Sequence, residues 1–406
     1  MDANAARPAA SSRGPLDGLL VVDLSRILAG PYCTMTLGDL GARIVKIEEP
    51  GQGDDTRTWG PPFWAGTSTY YLAVNRNKES VTLDLKHDAA RAALWKLIAR
   101  ADVLVENFRP GTLERLGFGF DACRDRNPRL VYASISGYGV TGPEASRAGY
   151  DLIAQGEGGV MSLTGEPDGT PMKAGVSQAD VVAGMWALSG ILAALVARER
   201  TGRGQRVDAS LLDGQLGLLT YLASNHWGTG EPPERLGNRH PNLTPYGTFP
   251  CADGWITIGA GNDALFAKLC AALDAPALAA RPEFATNPSR LAHRDALEAA
   301  LAARTRMLTA DDALARLRAA GVPGGGVRTV PEALAAPQTL AREMVVELAH
   351  PSIPGFRVVG TPVKLSDTPG RPRTAPPALG EHTERVLAEL GYDAEAVARL
   401  REAGAI

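Results

Sequence analysis

Asp180 is the residue of this sequence best placed to do chemistry. It closes the hexapeptide GVSQAD, residues 175–180, and a long run of small and apolar residues follows it. A carboxylate held in a site can attack a thioester carbonyl and form an acyl anhydride. The same position also suits an N-cap or a first-turn acid at the start of a helix. The residue alone supports both readings. A second group of candidates is cationic. Lys86, Arg109 and Arg115 lie beside segments that read as strands. Cations there can hold phosphates through charged hydrogen bonds, although from the residues alone a solvated surface is the preferred reading of Lys86 and Arg115.

The elements that must position these residues follow from pattern. After Asp180, the residues Val181, Met185, Leu188, Ile191, Leu192 and Leu195 recur at helical spacing, and RERTGRGQR ends the run on cations and glycine. Upstream, LLVVDL (19–24), RIVKI (43–47), Val81–Leu85, DVLVE (102–106) and LVYAS (130–134) read as short buried strands. A helix beginning near Gly30-Pro31 separates the first two, and residues 88–100 form an amphipathic helix. The alternation predicts an α/β fold with an open, mostly parallel, Rossmann-like sheet. NFRPG then falls at a strand's carboxyl end, where such sheets bind ligands. Neither GxGxxG nor GxxxxGK[ST] occurs, so the sequence has no dinucleotide or P-loop fingerprint. The loop EEPGQGDDTRTWGPPFW carries Trp59, Phe63 and Trp64, aromatics that are costly to leave in water.

Beyond residue 207 the pattern changes. Residues 208–228 read as one more helix, GTFPCADGWITIGA as a hairpin around Asp253-Gly254, and 263–320 as alanine-rich helix. GVPGGGVRT reads as a linker, PGFRVVGTPVKL as late strands, and 380–404 as a final helix. The expected organisation is a disordered lead over 1–14, a large domain over 15–207, a linker helix over 208–225, a smaller α+β domain over 226–325, and a return to the large domain over 326–406.

Composition excludes several classes. A net charge of −3 over 406 residues offers no electrostatic case for nucleic acid or an anionic membrane. Cys33, Cys123, Cys251 and Cys270 lie far apart with no CxxC pair, which argues against a zinc site or a disulfide framework and fits a cytoplasmic protein. No metal is expected. The amino-terminal residues hold no signal-like apolar run, and the apolar stretch 181–197 is interrupted by Gly184, Ser189 and Gly190.

Blocks spread along nearly the whole chain resemble the class III coenzyme A transferases, the CaiB/BaiF family. They are DLSRILAGPYCTMTLGDLGARIVKIEEPGQGDDTR, NRNKESVTLDLK, VENFRPGTLERLG, SGYGVTGP, AGYD, GVSQADVVAG, TGRGQRVDASLLD, PYGTFPCADGW and LGEHT. Their order and spacing make the match specific. Within the family the chain is most similar to the dicarboxylate enzymes of the succinate–hydroxymethylglutarate type.

The resemblance implies that Asp180 is the nucleophile. It implies that Ala29, Leu83, Lys86, Asn107, Phe108 and Arg115 line a site for coenzyme A, and that Trp59, Tyr150 and Asp151 lie near the acyl group. It further implies an interlocked homodimer. Where formyl-CoA transferases carry an arginine for a CoA phosphate, this chain has Glu49, so Arg26 is the replacement candidate. The glycine run that covers the aspartate in those enzymes is replaced by GNRHPNLTPYG. Arg147, Arg239 and His240 are candidates for a substrate's distal carboxylate. The expected activity is transfer of CoA from an acyl-CoA, with succinyl-CoA the expected donor, to a small, dicarboxylic acid. Two other readings remain. α-Methylacyl-CoA racemases share the scaffold but place a histidine base before the aspartate of the AGYD-type block; Tyr150 stands here, and a neutral phenol is a poor base at neutral pH. A CoA-binding protein without turnover would have no need of Asp180.

Overall fold

The computed structural model describes residues 14–406; the expected lead therefore lies almost wholly outside the described residues. Contacts divide the chain into two units. The first comprises Met1–Val160, Lys173–Ala223 and Pro337–Ile406, and the second Met161–Met172 and Ser224–Ala336. The second unit thus takes in a short segment from the 15–207 range expected for the large domain.

The first unit is built on a six-stranded parallel sheet. Its strands are β1 (Leu20–Asp23), β2 (Arg43–Glu48), β5 (Lys78–Thr82), β6 (Val103–Glu106), β7 (Val131–Ser136) and β8 (Arg206–Ser210). A two-residue hairpin, β3 (Phe63–Trp64) and β4 (Thr67–Ser68), sits between β2 and β5. The sheet order is β5-β2-β1-β6-β7-β8, the doubly wound arrangement. Strand order reverses between β1 and β6, so the crevice outside their carboxyl ends is the expected ligand position.

Apolar residues face both sides of this sheet. On one face Val22, Val45, Val81 and Leu104 pack under the helix Asp88–Ile98 and the carboxyl-terminal helices Thr383–Glu389 and Ala394–Glu402. On the other face Val21, Ile44, Val103 and Val131 pack under the helices Ala29–Asp39 and Gln178–Thr201. The latter, 24 residues long, is the one helix among the described residues long and apolar enough to cross a bilayer. Here one side of it, Ala183, Ala187, Ile191 and Ala194, is buried in the sheet-face core. Gly184 lets it approach the Ala29–Asp39 helix: a Cβ there would sit 2.6 Å from the carbonyl oxygen of Ala29. β12 (Val345–Glu347) and β13 (Arg357–Val359) form a separate antiparallel pair.

In the second unit, β9 (Tyr246–Pro250), β10 (Trp255–Gly259) and β11 (Gly324–Gly326) form an antiparallel sheet beside several short helices. The hairpin turns at Asp253-Gly254 as expected.

Four readings change. The strand expected at Val81–Leu85 lies at Lys78–Thr82, because Lys78 and Ser80 find buried polar partners and need no apolar surroundings. The helix expected from 208 is preceded by β8 and splits into Leu211–Leu218 and Tyr221–Thr229; RVDAS pairs along β7, and Ser210 caps the first of the two helices. The glycine linker is an edge strand, since backbone pairing with β10 needs no side chains. The final helix is two, broken where Gly391 adopts φ 86°.

Candidate active site

The loops after β1 and β6 meet at the point of strand-order reversal. Asn107 ties them together in both directions. Its Oδ1 accepts the N–H of Arg26 at 2.8 Å, and its Nδ2 donates to the Arg26 carbonyl at 2.7 Å. The Arg26 guanidinium lies over the Phe108 ring, 5.3 Å from its centroid, and pairs with Asp55 at 3.2 Å. Next to this latch, Ile27 holds φ at 73°, a left-handed conformation that a β-branched residue strongly disfavours.

Buried charges hold the strained loop. Lys46 donates to the Ser25 carbonyl at 2.7 Å and pairs with Asp54 Oδ2 at 2.9 Å, both side chains being fully buried. Asp54 Oδ1 accepts the N–H groups of Ile27 at 3.2 Å and of Thr56 at 3.0 Å. Burial pushes the Asp54 carboxyl up, but Lys46 and the Thr56 hydrogen bonds outweigh it and leave it below its ordinary range. Arg57 forks onto Glu48 at 2.7 Å with each of two nitrogens, so the segment carrying Trp59 is anchored to the end of β2.

A cavity of about 180 Å³ opens beside these loops at the carboxyl ends of β1, β2 and β5. Leu83, Phe108, Arg26, Lys86 and Glu49 all line it. Leu83 does so while also belonging to the sheet-face core. Asn107 belongs to the latch at its rim. Arg115 is exposed on the following turn, with Nη2 3.1 Å from Thr112 Oγ1. Ala29 is buried against the Asp180 helix rather than lining the cavity. A larger concavity of about 1210 Å³ lies at the opposite, amino-terminal edge of β1, β2 and β5. Its cations Arg43, Arg57, Lys78 and Arg373 are tied to Glu79, to Glu48, to Asp23 and to the Gly38 carbonyl. The smaller cavity, at the switch point, is the better ligand site despite its size.

Asp180 sits in the first turn of Gln178–Thr201, half-buried. It is not the capping group: the N–H of Ala179 goes to Asp151 Oδ1 at 2.8 Å. Asp151 opens its own helix, Asp151–Glu157, and its second oxygen accepts from Gln155 at 2.8 Å. Burial and then the charge of Asp151 push the Asp180 carboxyl up to about 7. A helix dipole favours an ionised acid in the first turn; here desolvation and the neighbouring acid dominate. Tyr150, beside Asp151, is exposed.

Tyr70 joins this cluster unannounced by the sequence. Its hydroxyl shares a hydrogen bond with Ser177, and burial together with the Asp180 charge pushes its pKa to about 12. Its ring meets Trp59 edge-on at 5.2 Å. In sequence Tyr70 is indistinguishable from its neighbour Tyr71, a core residue 1% exposed. Asp54, whose charge also reaches Tyr70, was visible only as half of an Asp-Asp pair before threonine, a turn-forming pattern.

The three proposed carboxylate-binding cations are less available. Arg147 is paired with Glu144 at 2.9 Å and Glu157 at 2.8 Å and lies over the Tyr138 ring. Arg239 and His240 belong to the second unit. There Arg239 pairs with Asp295 and Glu298 at 2.9 and 2.8 Å, and His240 accepts the Asn242 N–H at 3.0 Å. Burial, then the nearby Arg294, lowers the His240 pKa.

Residues 16–383 match the model of CoA-transferase family III. The chain is 43% identical, over 93% of its length and 96% of the relative's, to a succinate–glutarate CoA-transferase from Agrobacterium fabrum. It is 45% identical, over 90% of its length and 94% of the relative's, to an acetyl-CoA:oxalate CoA-transferase from Acetobacter aceti. The crystal structure of a CaiB/BaiF family protein from Brucella suis superposes with a TM-score of 0.84 at 45% identity, covering 93% of this chain and 99% of that one.

Proposed function

The chain belongs to CoA-transferase family III, and we propose that it moves CoA from a small acyl-CoA, succinyl-CoA foremost, to a dicarboxylic acid through covalent intermediates on Asp180. The Agrobacterium and Acetobacter relatives are each named for a dicarboxylate, which supports that substrate class. The observation that carries the mechanism is Asp180 itself, a half-buried acid not spent on capping, between Tyr70 and Asp151.

The steps balance without an outside energy source. An ionised Asp180 oxygen attacks the thioester carbonyl, the C–S bond breaks, and CoA leaves as thiolate from a mixed anhydride. The thiolate attacks the aspartyl carbonyl, giving an aspartyl–CoA thioester and releasing the donor acid. The acceptor carboxylate attacks that thioester, forming a second anhydride and thiolate. Attack of the thiolate on the acceptor's acyl carbonyl yields the new acyl-CoA and restores Asp180. Each step exchanges one activated acyl bond for another. Water must be kept from the anhydrides, and the Trp59–Tyr70 wall suits that need.

Coenzyme A occupies the switch-point cavity in this reading, with Phe108 and Leu83 as apolar contacts and Arg26 and Lys86 as the exposed cations of its lining; Arg115, on the turn after β6, is a phosphate partner outside that lining. A racemase needs a base where Tyr150 stands. The working form is a cytoplasmic homodimer, interlocked through the stretches 200–237 and 320–345. Met185, Trp186 and Val196, exposed along one side of the long helix, support a covered surface there. A monomer in sedimentation at micromolar concentration would refute the dimer.

The decisive experiment is Asp180→Asn. The amide keeps the shape and loses the nucleophile, so transfer should fall at least about a thousandfold, roughly 4 kcal/mol of barrier, while CoA binding persists. Retention of more than about a tenth of the activity rules out the nucleophile. Donor choice is read with succinyl-CoA and acetyl-CoA against glutarate, oxalate and butyrate. Equal transfer to butyrate removes the dicarboxylate assignment.

A further inference from the structure

The cavity at the switch point is unusual for a polyphosphate site in its balance of charge. Its lining contains three cations, Arg26, Lys46 and Lys86, against four acids, Glu48, Glu49, Asp54 and Asp84. Each cation already has a carboxylate partner. Lys46 is buried on Asp54, and Arg26 pairs with Asp55. Lys86 Nζ donates to Glu49 Oε1 at 3.1 Å, and its own N–H goes to Asp84 Oδ1 at 2.9 Å. The hydrogen bond to Glu49, its charge and then that of Asp84 raise the Lys86 pKa and keep the ammonium charged.

The Lys86–Glu49 pair marks the solvent end of the cavity. The two side chains are 77% and 49% exposed, whereas Lys46 is fully buried and Leu83 only 2% exposed. A strongly hydrated terminal phosphate has no need of burial, so it belongs at the exposed end. There it meets a lysine whose charge Glu49 already offsets. Exchange of one anion for another on the same ammonium returns little net affinity.

We propose that Glu49 is a specificity-determining residue that, by occupying Lys86, makes this pocket nearly indifferent to the ribose 3′-phosphate that distinguishes CoA from 3′-dephospho-CoA. The inference rests on the reading of this cavity as the CoA site. Glutamine at 49 keeps the side chain's size and removes its charge, so Lys86 becomes available to the phosphate as a charged hydrogen-bond donor.

Calorimetric titration of the full chain with CoA and with 3′-dephospho-CoA tests this. The wild-type dissociation constants should differ by less than about threefold, the range of an exposed ion pair. Glu49→Gln should widen the gap to about fivefold or more through tighter CoA binding. The double variant Glu49→Gln with Lys86→Met should close it again, which locates the gain in Lys86. A wild-type preference for CoA of about tenfold or more, or a Glu49→Gln gap equal to wild type, overturns the proposal while leaving the CoA site standing. Failure of both nucleotides to bind, or undiminished binding of both to a folded Leu83→Arg variant, instead overturns the cavity's assignment and this inference with it.

Discussion

Asp151 and Asp180 are coupled through the start of one helix. Asp151 takes the N–H of Ala179 at 2.8 Å, and its charge acts with burial to hold the carboxyl of the next residue, Asp180, near 7. The group that orders the helix end thereby also adds to the upward shift that burial imposes on the acid behind it.

Transfer should therefore rise with pH through about 7 as Asp180 ionises. Asp151→Asn keeps an oxygen for Ala179 but removes the charge. Burial remains the larger cause and stays, so the midpoint should move down without reaching the ordinary aspartate range. Initial rates against pH at saturating substrates report it. An unmoved or raised midpoint contradicts the coupling.

Stability should carry the opposite sign. Asp180 has a folded pKa above its ordinary 3.8, so the folded state binds this proton more tightly than the unfolded chain. Its stabilising effect is complete below about 3.8 and is lost as pH rises through about 7. Asp180→Asn does not titrate. Relative to wild type it should gain about 2–4 kcal/mol between pH 3 and pH 8. Urea unfolding of both proteins at the two values measures the difference. A gain independent of pH contradicts the raised pKa.

The approach of Gly184 to Ala29 fixes the long helix against the start of the Ala29–Asp39 helix. Gly184→Val places a Cβ 2.6 Å from the Ala29 oxygen, backbone that has no rotamer to escape into. Expected costs are about 1–3 kcal/mol of stability and a kcat loss that exceeds any change in CoA affinity. Gly217→Ala is the control, because its Cβ meets only Trp186 Nε1 at 4.0 Å. Equal stability of the two variants contradicts the close-packing argument.

Legibility in the sequence followed side-chain character. β1, β2, β6 and β7 were readable because apolar residues face both sides of a parallel sheet. β5 was displaced because KESVT spends Lys78 and Ser80 on Asp23 and Glu48, partners that only the fold brings near. β11 was missed because three glycines carry no pattern, though their backbones pair with Ile256, Thr257 and Ile258. In the site, Asp180 was marked by its block, and the cavity residues Leu83, Lys86 and Phe108 came with it through the resemblance. Tyr70 was hidden by looking like core. The Lys46–Asp54 support was hidden because the two residues lie on a strand and on a loop that turns back over it.

That support gives the last prediction. Lys46 and Asp54 are fully buried against each other, and together they hold Ser25, Ile27 and Thr56. Lys46→Met leaves the Asp54 carboxylate buried without its cation, a change worth about 3–5 kcal/mol. The loss should depend on pH. In the wild type Asp54 has a lowered folded pKa, so its contribution is present above its ordinary 3.8 and lost as pH falls through the folded value. In the variant burial, the largest influence, is opposed only by hydrogen bonds such as those from Thr56 and raises the folded pKa, so stability is instead lost as pH climbs above 3.8. The deficit should be small near pH 3 and should widen toward pH 7. Adding Asp54→Leu removes the orphaned charge and should recover part of the stability at pH 7. It should not restore the KM for acyl-CoA, because Ile27 and Thr56 lose the acceptor that holds their loops. Urea unfolding across pH, with KM and kcat measured on both variants, separates the two effects. A pH-independent deficit, or recovery of KM along with stability, contradicts the role assigned to this pair.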